Sequence, residues 1–73
     1  MSNIVNARGL SCPQPVIVTM DEMKKVSKGE IVIMVDTDTS KENVSRAAKN
    51  QGWEVTDIQM DDDGYRITIR KEN

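Results

Sequence analysis

Five consecutive apolar residues, Ile31-Val32-Ile33-Met34-Val35, stand between Gly29 and the polar turn Asp36-Thr37-Asp38-Thr39. An uninterrupted run of this length, bounded by turn signals, reads as a central strand buried on both faces or nearly so. The punctuation on either side divides the rest of the chain into a short alternating series. Ile4 to Ala7 is a strand that ends at Arg8-Gly9, and Pro13 to Ser27 is a helix. In that helix Val16, Met20, Met23 and Val26 recur at helical spacing and Ile17 widens the stripe. Gly29 falls where a left-handed C-terminal cap is wanted. Thr39 followed by Glu42 fits a capping box for a second helix, whose apolar side is Val44, Ala47 and Ala48 and which stops at Gly52. Trp53 to Met60 is a third strand. Its apolar residues change parity between Val55 and Ile58, which predicts a bulge near Thr56 or Asp57. Asp63-Gly64 signals a hairpin into Tyr65 to Arg70, where Tyr65, Ile67 and Ile69 alternate strictly. The order β-α-β-α-β-β predicts an α/β two-layer sandwich: a four-stranded mixed sheet with both helices on one face and the other face poorly covered.

A length of 73 residues accommodates one domain, 1–73. Hydrophobic residues make up 37% and charged residues 30%, an ordinary globular balance. No apolar run approaches the roughly 20 residues of a spanning helix, and the opening residues lack an export signal, so a cytoplasmic chain without membrane contact is expected. One cysteine and no histidine exclude an internal disulfide and a Cys/His zinc site, and no metal or other cofactor is expected. Stability must therefore come from packing Val, Ile, Met and Trp53. Asp61-Asp62-Asp63-Gly64 lacks the distal glutamate of a calcium loop, since Arg70 stands there, and reads as a charged hairpin. Met20, Met23, Met34 and Met60 read as gap-fillers rather than soft-metal ligands. Twelve acidic residues against ten basic ones give a net charge of −2, which argues against sequence-independent nucleic-acid binding. Lys24, Lys25 and Lys28, and Arg66, Arg70 and Lys71, read as solvated faces.

The chemistry concentrates in Gly9-Leu10-Ser11-Cys12-Pro13-Gln14-Pro15, at the junction of the first strand and first helix. A residue before proline is pushed out of the α region, so Cys12 suits an N-cap with Pro13 as the first helical residue. Alternatively, the helix begins at Pro15 with Gln14 as its cap. Either version brings the only thiol close to a helix N-terminus, where the thiolate is favoured, and Arg8 is the nearest cation in sequence. The bland alternative is that Cys12 is a small buried hydrophobe. If it is reactive, the absence of histidine removes a Cys–His dyad, and Pro15 occupies the position of a second Cys-x-x-Cys thiol. What survives is chemistry requiring one thiol and a partner: accepting a sulfane sulfur as a persulfide, or forming a mixed disulfide, then passing the group on. A peroxide-sensing thiol without a resolving cysteine, and an adaptor that binds through the open sheet face with Cys12 incidental, are the competing readings.

The run Ala7-Arg8-Gly9-Leu10-Ser11-Cys12-Pro13-Gln14-Pro15-Val16, with Thr19 behind it, resembles the signature of the TusA/SirA-like sulfur-carrier family, in which Cys-Pro-x-Pro opens the first helix. Gly29-Glu30, the Asp36 turn, Gly52 and the ending Tyr65 to Lys71 extend the resemblance over nearly the whole chain. It implies a carrier that acts with partner enzymes rather than as a stand-alone catalyst. Cys12 would be the persulfide-forming residue, with Arg8, Gly9, Pro13, Gln14 and Pro15 as its supporting motif. The implied partners are a cysteine desulfurase or other sulfur donor and a downstream acceptor protein. Such carriers serve tRNA thiolation, cofactor sulfuration and related sulfur or selenium trafficking. Asn6 departs from the family's frequent Asp, and Val18 from its frequent basic residue.

Overall fold

The computed structural model describes residues 2–10, 14–62 and 64–72. The apolar run lies within β2 (Gly29–Val35), which is flanked on both edges. On one side it pairs in parallel with β1 (Ser2–Asn6), and on the other it pairs antiparallel with β4 (Gly64–Lys71). The remaining strand, β3 (Glu54–Asp61), pairs antiparallel with β4 and forms the far edge, giving the order β1-β2-β4-β3. Two helices, α1 (Gln14–Val26) and α2 (Asp38–Asn50), pack against each other, α1 over β1 and β2 and α2 over β3 and β4. The architecture is the expected two-layer α/β sandwich with a mixed sheet.

β2 is central, but it is buried on one face only. Ile31, Ile33 and Val35 are fully buried beneath the helices, while Glu30, Val32 and Met34 on the other face are half-buried. The expectation of two-sided burial is corrected because both helices occupy the same side of the sheet. Across the helix side, Ile31 and Ile33 stand beside Ile69 and Ile67, and Met23, Val44, Ala48 and Trp53 close the core from above.

α1 buries Pro15, Thr19 and Met23, a row at four-residue spacing, with Val16, Met20 and Val26 half-buried on its flanks. Ile17 is 50% exposed rather than part of the stripe. At about 100° per residue it points nearly opposite to Pro15 and Thr19. The polar Thr19 is tolerated in the row because its hydroxyl donates to the Pro15 carbonyl at 2.7 Å. The residue directly after α1, Ser27, is left-handed with φ 59°; Gly29 has a positive φ of 113° as expected, but as the first residue of β2 rather than as the residue that ends the helix.

The cap of α2 is Thr37, two residues before the expected Thr39. Its hydroxyl accepts from the Ser40 backbone N–H at 3.1 Å, whereas Thr39 is already helical. At the other end Gly52 terminates the helix as expected. Its N–H donates to the Lys49 carbonyl, and the Trp53 N–H reaches back to the Ala48 carbonyl at 2.9 Å. The bulge falls where the parity change predicts it: the β3–β4 register shifts between Val55 and Asp57, leaving Thr56 as the extra residue. Asp61 pairs with Gly64, so Gly64 is the first residue of β4 rather than part of the turn; Asp63 lies outside the described residues.

Candidate functional site

Because β1, β2 and β3 run parallel to one another, their C-terminal ends, the start of β4 and the N-termini of both helices gather at one end of the sheet. The segment between β1 and α1 is built there from its backbone outward. Ala7 is fully buried, and its N–H donates to the Met34 carbonyl at 2.8 Å, carrying the parallel ladder one step past β1. The Asn6 side-chain oxygen then accepts from the Arg8 backbone N–H at 3.2 Å and from Arg8 Nε at 3.3 Å. This is an Asx-type turn. The acceptor it needs is present in an amide as well as a carboxylate, so Asn6 serves the turn without a charge.

Gly9 has φ +80°, and its N–H donates to Asp36 Oδ2 at 2.8 Å. That bond ties the segment after β1 to the turn after β2. Leu10 packs against the core, and beyond residues 11–13 Pro15 is buried again. Both shoulders of the predicted thiol segment are therefore anchored. Ser11, Cys12 and Pro13 themselves lie outside the described residues. Gln14 is exposed and already helical, which corrects the alternative in which it caps α1 from outside. Pro15 as the second helical residue sacrifices no hydrogen bond, because the first four helical N–H groups have no partner within the helix. α1 carries no acidic residue in its first turn, so the positive field of its N-terminus is not neutralised by its own side chains. Val18 packs against the core, which accounts for an apolar residue at that position.

On the neighbouring α2 side, sequence reading missed a cluster. The Tyr65 hydroxyl donates to Asp38 Oδ1, and Lys41 Nζ stands 4.8 Å from the Tyr65 ring centroid. The Asp38 hydrogen bond is the main cause that raises the Tyr65 pKa above 10.0, followed by desolvation and the Asp38 charge. The sequence signals were separate: a strand aromatic, a turn acid and a helix lysine. Only the β2–β4 register, with Val35 beside Tyr65, brings them together.

Among the described residues no three acidic or thiol side chains converge as a metal-ligating group, and no helix is long and apolar enough to cross a membrane.

Comparison with known proteins agrees with this layout. A candidate sulfur carrier protein of Archaeoglobus fulgidus is 30% identical over 69 residues, 93% of this chain and 94% of its own. YedF, a candidate sulfur carrier protein of Escherichia coli K12, is 39% identical over 64 residues, 86% of this chain and 83% of its own. The crystal structure of a SirA-like protein from Desulfitobacterium hafniense superposes with a TM-score of 0.87 at 26% identity, covering 100% of both chains. The family model for sulfurtransferase TusA matches residues 3–71, which takes in the Cys-Pro-x-Pro run and all of the sheet and helices except Ser2. The chain thus belongs to the TusA sulfurtransferase family.

Proposed function

We propose that this chain is a sulfur carrier in which Cys12 holds the transferred atom as a persulfide. The observation that carries the reading is the pairing of the chain's only thiol, within Cys-Pro-x-Pro, with a first helix that has no acid in its opening turn. The step balances without an oxidant. The Cys12 thiolate attacks the outer sulfur of a donor persulfide, a new S–S bond forms at Cys12, and the donor's inner sulfur leaves as a thiolate. An acceptor thiolate then repeats the exchange. Gly9 supplies the left-handed backbone, Pro13 and Pro15 restrict the segment, and the helix N-terminus favours the anion. Arg8 shapes the turn through Asn6, and Gln14 opens the helix as an exposed residue available to a partner.

The partners in this reading are a cysteine desulfurase or another sulfur donor and a downstream acceptor protein in the cytoplasm. The chain acts with them rather than alone, within tRNA thiolation, cofactor sulfuration or a related relay. The test is intact mass without reductant after incubation with a cysteine desulfurase and free cysteine, beside Cys12→Ser. The expected result is a reductant-sensitive gain of one sulfur atom that the variant lacks. A Cys12 thiol that neither gains sulfur from any persulfide donor nor alkylates would overturn the reading. It would favour an adaptor acting through the open sheet face, where Ile4 is 67% exposed beside Val32.

A further inference from the structure

β3 forms one edge of the sheet, and its two sides carry opposite chemistry. Toward the helices it presents Ile58, 44% exposed, and Met60, 77% exposed. Beside Ile58, α2 lines a groove of about 310 Å³ with Lys41, Glu42, Ser45, Arg46 and Lys49. Three cations thus face one carboxylate. Among the described residues Ser45 Oγ, buried behind this wall, has no hydrogen-bond partner. On the open side the same strand presents Glu54 and Asp57, whose β4 neighbours are Arg70 and Thr68.

We infer that this groove is a docking track for an extended segment of a partner protein, added to the sheet beside β3. The segment has acidic and apolar side chains on its helix-facing side and basic or neutral ones on the other. Backbone pairing to the free strand edge supplies affinity, and the alternation of side chains supplies register and choice of partner. Its apolar residues cover Ile58 and Met60, and its carboxylates meet Arg46 and Lys49. A second copy of this chain is the wrong occupant. β3 carries Glu54, Asp57 and Asp61 and no basic residue, so pairing it with its twin gathers like charges at one edge, and like charges across strands are destabilising. The track runs toward the end of the sheet where the β1–α1 segment lies, so a partner seated on it is led toward the proposed carrier site. The inference stands independently of sulfur chemistry.

The test is an NMR titration of the isotope-labelled full chain with two synthetic peptides of identical composition. One alternates Val and Glu on one face with Lys and Thr on the other; in the second this alternation is scrambled. The expected result is amide shifts confined to β3 and α2, with affinity about tenfold weaker for the scrambled peptide. Arg46→Gln with Lys49→Gln should weaken the alternating peptide by about tenfold while the thermal midpoint of the free chain moves by no more than about 5 °C. Equal binding of both peptides, shifts centred on β1 or the open face, no shifts at millimolar peptide, or a β3-dependent dimer in sedimentation would each overturn it.

Discussion

Replacing Gly64 with alanine probes the point at which β4 starts against the end of β2. An added Cβ would stand 2.2 Å from the Val35 carbonyl oxygen and 2.7 Å from Asp36 Cα, both backbone atoms that cannot rotate aside. Reaching even 3.0 Å from that oxygen needs a shift of about 0.8 Å, which distorts the pairing of Tyr65 with Val35. The φ of +137° adds strain of about 1–3 kcal/mol for a residue with a side chain. Taking the middle of that range, with about 1 kcal/mol for each of one or two disturbed ladder hydrogen bonds, the total is about 3–4 kcal/mol. At about 0.05–0.15 kcal/mol per residue the whole chain holds only about 4–11 kcal/mol. At about 4–8 °C per kcal/mol, Tm should therefore fall by about 12–30 °C. Gly9→Ala is the internal control: its φ is +80°, but no described residue lies within 4 Å of the new Cβ, so it carries the strain without that backbone clash. Circular-dichroism melts of both variants, checked by urea unfolding, read the difference. If Gly64→Ala melts within about 4 °C of the parent, or costs no more than Gly9→Ala, the close approach of β4 to β2 is not what makes glycine necessary there.

Tyr65 is the only tyrosine, so ultraviolet titration of tyrosinate isolates it. Its proton is held more tightly in the folded chain, so the contact with Asp38 is fully present below pH 10.0 and is lost as pH rises through the raised folded value. Asp38→Asn should bring the midpoint back toward 10.0; an unchanged midpoint would discount the hydrogen bond. One-sided burial of β2 predicts that Ile33→Ala costs about 2–5 kcal/mol in denaturant unfolding, while Val32→Ala on the open face costs about 1 kcal/mol or less. Equal losses would mean that something covers both faces. Asp36→Ala should leave Tm nearly unchanged yet speed hydrogen exchange at the Gly9 amide about fivefold, the effect of losing about 1 kcal/mol of local hydrogen bonding. Unaltered exchange would show that Asp36 does not tie the two turns.

The order of elements was legible in the amino-acid sequence because each signal depends on a few bonded neighbours. The Ile31–Val35 run, the Gly52 stop and the parity change around Thr56 all describe backbone preferences that survive into the fold. The Cys-Pro-x-Pro run was equally plain, as was the exclusion of chemistry that needs histidine or a second thiol. Local rules erred where several residues satisfied the same rule. The capping box pointed to Thr39 where Thr37 is the cap, Gly29 drew attention from Ser27 although both have positive φ, and Ile17 looked like stripe until the packing line through Pro15, Thr19 and Met23 was drawn. Tertiary structure alone decided that β4 inserts between β2 and β3, leaving β3 at an edge beside the cations of α2. It also decided that Gly9 binds Asp36 and that Asp38 meets Tyr65, pairs separated by 27 positions in each case. Periodicity and capping carry no information across such a distance, because which turns share an end of the sheet is settled only when the strands take their order and the helices bury their common face.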